Sequence, residues 1–306
     1  MRTCQVKNKD WFYYLLLTCS AIFWGSSFIF TKQLLRCAAP VTIVFTRLVI
    51  AVSVFVCISF LFFRKELRIQ RKDLLTIFAF SLFEPFLYFI FETYSLTYCD
   101  AAVVSIIVAT IPIATAFLSL FYFKEDFTLL NFAGVGITVI GIGTMLLPSL
   151  LNANMSVLGI ILAFCAVLAS VGYTFFLRKL PEHYNPVVIV CYQNFTGLLL
   201  FTPLLFIFND VHTLPGQFTA LFSGCNTFYV VMLSVLCSAM AFMFYLQGMR
   251  RFGIGKACIF TNFIPIVTAV LSFFLLKESF PAYKIIGIIT VILGIFLVQT
   301  KKRTTE

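Results

Sequence analysis

Ten stretches of predominantly apolar residues run along the chain, with charged and polar residues gathered between them. They fall at 12–34, 40–63, 73–96, 101–123, 129–147, 156–177, 187–208, 226–249, 254–276 and 282–299. The hydrocarbon core of a bilayer is about 30 Å thick, so a crossing helix needs about 20 such residues. Each stretch meets that requirement. The runs are continuous rather than alternating and about twice as long as a barrel strand, which excludes an outer-membrane barrel. An all-α membrane protein with ten transmembrane helices is expected. The longest connection, 209–224, holds only Asp210 as a charge and leaves no room for a soluble catalytic domain. The first stretch lacks an Ala-x-Ala-like cleavage site and is longer than a signal core, so it reads as a retained helix.

The pattern also repeats. Ile111 to Phe127, IPIATAFLSLFYFKEDF, returns at Ile264 to Phe280 as IPIVTAVLSFFLLKESF, with 11 of 17 positions identical at an offset of 153. Earlier segments align at an offset of 146: Phe30–Leu34 over Phe176–Leu180, and Pro40–Val44 over Pro186–Val190. A period near half the chain marks a duplication rather than a solenoid. The two units are 12–147 and 156–299, five helices each. Five is odd, so the second copy enters the membrane from the opposite side, an inverted repeat. In transporters built this way the substrate site lies near the midplane, where the copies meet.

Composition agrees with the pattern: 61% hydrophobic residues, 11% charged, mean hydropathy +1.03. The net charge of +10 would suggest nucleic acid in a soluble protein; here it sets orientation instead. With the N-terminus inside, 17 of the 22 Lys and Arg fall on the cytoplasmic side. Lys32, Arg36, Lys277 and Lys284 fall outside, and Arg47 lies within a helix. Both termini are therefore expected in the cytoplasm, with the protein spanning the plasma membrane, the inner membrane in a prokaryote. The cysteines show no ligand spacing, His183 and His212 fall on opposite faces, and neither a metal nor a cofactor is expected. GxxxxGK[ST] is absent.

The Trp24-Gly25-Ser26-Ser27 turn, Arg47 early in the second helix, and a Glu followed by glycines in each half (Glu125, Gly134, Gly141; Glu278, Gly287, Gly294) resemble the drug/metabolite transporter superfamily, EamA type. The resemblance covers about 12–299. It implies ten helices, a central cavity from helices 1, 3, 4, 6, 8 and 9, and export or uptake of small metabolites. Where members often carry a second Trp in helix 6, this chain has Ser170.

Glu84 is the sharpest candidate, since a carboxylate about 16 Å deep marks function by default. Arg47 lies at a similar depth and is a candidate partner, in a structural ion pair or in substrate or proton binding; Gln193 is its counterpart in the second copy. Pro112 and Pro265 remove a mid-helix donor and crowd the carbonyls of Val108 and Thr261, so both helices should kink toward the interior. Trp24, Ser27, Tyr88, Tyr173, Tyr245 and Asn262 are polar or amphipathic groups at membrane depth and complete the expected cavity lining. Glu92 and Asp100 read as solvated near the outer end of helix 3. Glu125 and Glu278 read as interface anchors. Gly134/Gly141 and Gly287/Gly294, two turns apart, permit close helix packing within the chain or in a homodimer.

The expected function is a secondary transporter, an exporter, of small organic metabolites such as amino acids or related compounds, working by alternating access. The alternative is a membrane-embedded enzyme or lipid-handling protein. It would need a paired carboxylate site, a nucleophile with its base, or a metal cluster. A scaffold would not need duplicated mid-helix prolines. Small-molecule substrate and lipid bilayer are the expected partners, without nucleic acid.

Overall fold

The computed structural model describes residues 2–62, 69–122, 128–151, 156–177, 179 and 184–299, and side chains for these except at 2–9, 59–62, 119, 147–151, 254–256 and 299. Glu125 and Lys124 lie outside the described residues. Among the described residues nine apolar helices are long enough to cross a membrane, α1 (Asp10–Leu34), α2 (Pro40–Ile58), α3 (Arg71–Tyr98), α4 (Ala101–Tyr122), α5 (Leu129–Leu146), α6 (Val157–Leu177), α7 (Pro186–Phe208), α8 (Cys225–Phe252) and α9 (Ala257–Leu276), and a tenth, α10 (Ala282–Val298), is shorter. Their bounds agree with the apolar stretches to within a few residues. Among the described residues there is no strand. A short helix, Leu214–Leu221, occupies the connection that the sequence marks only as a loop.

Packing follows the duplication. α5 lies along α10 and α2 along α7, each pair joining equivalent helices of the two halves. The remaining large contacts exchange under the repeat: α3 on α6 matches α8 on α1, and α4 on α6 matches α9 on α1. α1 and α6 thus sit centrally, each against the third and fourth helices of the other half.

The α5–α10 pair is set by the repeated glycines. A Cβ on Gly141 would lie 2.7 Å from the Val291 nitrogen, and one on Gly134 2.7 Å from the Gly294 carbonyl oxygen. Both glycine pairs are consumed by this crossing inside the chain, so they are not available as a subunit seam. Gly136 and Gly143, on the other face, meet nothing within 4 Å.

The third helix of each half is interrupted by a wider turn, π-helical over Leu82–Leu87 in α3 and Met232–Met240 in α8. The fourth helix breaks at Ala109–Thr110 in α4 and at Asn262 in α9, just before the repeated prolines. These breaks follow the carbonyls of Val108 and Thr261 that the prolines crowd. Four irregular helices, two from each half, face the centre.

Candidate functional site

The interruption of α3 is built from both of its neighbours. Glu84 is extended (φ −144, ψ 117) within the helix, as suits a residue preceding proline. The bulge this makes needs space, and glycines supply it: a Cβ on Gly197 of α7 would lie 2.4 Å from Cγ of Pro85, and one on Gly172 of α6 2.4 Å from the Phe83 ring. An extended residue takes its carbonyl out of the helical ladder, and in a membrane interior that group must find another partner. Gln193 of α7 provides it, donating Nε2 to the Glu84 carbonyl at 3.1 Å.

The second half repeats the device with different chemistry. Arg47, the counterpart of Gln193, donates Nε to the Ser238 hydroxyl in the π-helical part of α8. That hydroxyl in turn donates to the Leu233 carbonyl at 3.0 Å. Arg47 also lies 3.9 Å from the centre of the Phe89 ring, a cation–π contact. An Arg47–Glu84 ion pair, one of the roles open to these residues, is not formed among the described residues. Depth along two helices allowed it, but Nε is committed to Ser238 and the guanidinium to Phe89, one turn and more beyond Glu84 on α3. The Glu84 carboxylate instead accepts a long bond from the Ser170 hydroxyl, 3.4 Å from Oε2. Ser170 thus places a donor, rather than a second indole, on the face of α6 turned toward α3.

Around these groups lies a cavity with about 940 Å³ of atom-free space, the open solvent at its mouth included. Of the expected lining residues, Trp24, Ser27, Glu84, Tyr88, Pro112, Tyr173 and Tyr245 all face it. Asn262 and Pro265 do not. α9 turns Cys258, Thr261 and Ile264 to the cavity, and the residues that follow 261 and 264 are rotated by about 100° on a 3.6-residue helix. Both are buried against the protein instead. Helices 1, 3, 4, 6, 8 and 9 contribute as the resemblance implies, and α2 adds Arg47.

Glu92 is the residue that sequence position misplaced. It is 3% exposed, lines the cavity, and its Oε2 has no hydrogen-bond partner. The available signal was spacing: Glu84, Tyr88 and Glu92 recur every four residues and so share one face of α3. Asp100, by contrast, is 46% exposed in its side chain.

The cavity is asymmetric along the helix axes. Toward the face where α1 starts and α10 ends, its lining continues to Leu177, Met249 and Cys258, at or near the ends of their helices. Toward the opposite face it stops at Phe28, Arg47, Glu92 and Val108, each six or seven residues from a helix end, or roughly 10 Å at 1.5 Å per residue. Those last turns are packed shut by buried Leu34, Leu96, Ala101 and Ala102. Charged groups fasten them. Lys32 donates to the carbonyls of Leu96 and Cys99 at 2.6 and 2.7 Å. Glu278 accepts from the Ala101 amide at 2.8 Å, capping the start of α4. Lys284 lies 2.9 Å from Asp100 and 4.0 Å from Glu278. The Glu278 site is shaped by Lys277, which takes a left-handed conformation (φ 54) to end α9. Burial pushes the Glu278 carboxyl above its usual range, helped by Asp100 and opposed by the Ala101 amide and Lys284.

The sequence model of the EamA-like transporter family matches this chain twice, over residues 11–147 and 157–300. An uncharacterized transporter of Archaeoglobus fulgidus is 26% identical over 294 residues, covering 96% of this chain and 100% of its own length. The uncharacterized transporter YcxC of Bacillus subtilis is 25% identical over 299 residues, covering 95% and 94%. A solved crystal structure aligns with a TM-score of 0.68 at 15% identity, covering 94% of this chain and 96% of that one, a likeness of fold.

Proposed function

From the premise that this chain belongs to the EamA-like transporter family, we propose that it is a secondary transporter, acting as an exporter, of small polar organic solutes such as amino acids or related compounds. The cavity carries this reading: it lies where the two five-helix units meet, reaches one face and ends about 10 Å short of the other. Such a shape is half of an alternating-access cycle, and the opposite state is the one in which the second unit takes the conformation of the first. The interrupted helices α3, α4, α8 and α9 are the elements that change, because their ladders are already broken.

Orientation follows the basic residues, with both termini and the cavity mouth in the cytoplasm. A cytoplasmic mouth loads solute from inside, which suits export. Glu84 faces this cavity with one long hydrogen bond and is the residue proposed to bind the coupling proton.

Net movement of candidate solutes in proteoliposomes, with and without a pH gradient, tests the proposal. Solute flux that follows the gradient is expected. Flux that is absent for every small polar metabolite, in protein shown to be folded, overturns it.

A further inference from the structure

Arg47 and Glu92, a base and an acid, line one cavity without forming an ion pair among the described residues. Phe89 stands one turn before Glu92 on the same face of α3, and the Arg47 guanidinium rests on its ring at 3.9 Å. Glu84 and Glu92 are the two carboxylates that line this cavity with Arg47. Yet no ion pair joins Arg47 to either among the described residues. Arg47 uses Nε on Ser238 and lines the cavity, with no hydrogen bond from its outer fork among the described residues. Glu92 keeps one carboxylate oxygen without a donor while only 3% exposed.

Two opposite charges in a poorly hydrated interior normally pair, because each alone is costly to keep there. Here both face one cavity and stop short of contact. A molecule that carries both complementary charges would satisfy the two groups together. We infer that Glu92 and Arg47 form the head-group subsite for a compact zwitterion, an amino acid or close analogue, whose ammonium group donates to Glu92 and whose carboxylate takes the outer fork of Arg47. This assignment rests on the transport reading and deepens it.

The surroundings fit that ligand. A guanidinium fork matches a carboxylate with two parallel bonds, and an ammonium supplies a donor to the Glu92 carboxylate, which lines the cavity and accepts no hydrogen bond among the described residues. Toward the mouth the cavity becomes aromatic: Trp24 packs against Phe242 at 5.1 Å and Tyr245 at 5.0 Å between ring centres. An apolar side chain extends over that wall. Glu84 lies eight residues from Glu92, about 12 Å along α3, so proton binding there and head-group binding at Glu92 are spatially separate.

Binding of the proteinogenic amino acids to the purified full-length protein, each beside its decarboxylated amine and its deaminated acid, tests the subsite. At least one amino acid should bind, and at least tenfold more tightly than either single-charge counterpart. Glu92→Gln should weaken that amino acid at least tenfold while leaving the deaminated acid within threefold. Equal affinity of the amine, equal affinity of the acid, or no binding by any amino acid overturns the assignment. The wild-type comparison decides even if Glu92→Gln fails to fold. Binding without counterflow in proteoliposomes would leave the subsite standing and remove the transport reading. Counterflow of another solute, with no amino acid bound, would do the reverse.

Discussion

The side-chain amide of Gln193 holds the main-chain carbonyl of Glu84 at 3.1 Å, and its repeat counterpart Arg47 holds the Ser238 hydroxyl in the matching turn of α8. One position in each copy's second helix therefore ties down the irregular turn in the other copy's third helix. The architecture is symmetric; the charge is not. Replacing Gln193 by Leu should leave the Glu84 carbonyl unsatisfied in a dry interior, at a cost of about 1–3 kcal/mol. Thermal unfolding in detergent should show a clear drop, and an unchanged midpoint would mean that the carbonyl is satisfied another way.

Arg47 hydrogen-bonds to Ser238 and not to Glu84. In double-mutant cycles with Arg47→Gln, the coupling to Ser238→Ala should be the larger, about 1–2 kcal/mol, as for a hydrogen bond to a charged group. Coupling to Glu84→Gln should be smaller. The reverse order, read from unfolding midpoints, would restore the ion pair that the depths of the two residues suggest.

Gly141→Ala should destabilise the protein by about 1–3 kcal/mol, since its new methyl would meet α10 backbone at 2.7 Å. Gly136→Ala, with nothing within 4 Å, should be neutral or slightly stabilising through helix propensity. Equal effects of the two on the unfolding midpoint would argue against the α5–α10 crossing.

Glu278 gives a pH dependence with a definite sign. Its carboxyl is raised in the folded protein by burial above the ordinary value of 4.5, so the folded state binds the proton more tightly than the unfolded state. The resulting stability is present below 4.5 and is lost as pH rises through the raised value. Glu278→Gln should flatten that part of the stability–pH profile. A wild-type profile that rises with pH over the same window would contradict this.

Glu84→Gln should preserve folding and solute binding while abolishing the dependence of transport on a pH gradient. The readout is flux in proteoliposomes under imposed gradients. Normal gradient-driven flux in the variant would remove Glu84 from proton coupling and leave its role structural.

The sequence by itself determined what depends on neighbours along one chain. Ten apolar runs of bilayer length dictate ten helices, because a backbone in lipid must satisfy its own hydrogen bonds. The repeated IPI motif marks two related units, and the prolines at 112 and 265 mark where α4 and α9 break, since a missing donor is a local property. Glu84, Tyr88, Tyr173 and Tyr245 could be placed at membrane depth for the same reason. Lateral arrangement was decided only in the tertiary structure. Depth alone brings Arg47 level with Glu84, but helix rotation and the π-helical turns send its guanidinium to Ser238 and Phe89 instead. Rotation also turns Asn262 and Pro265 away from the cavity while presenting Thr261 and Ile264. Glu92 sits six residues from its helix end, where a lone helix would leave it near water. Packing of the last turns of α1, α2, α3 and α4 buries it, since solvent access is a property of the assembled bundle rather than of position along one helix.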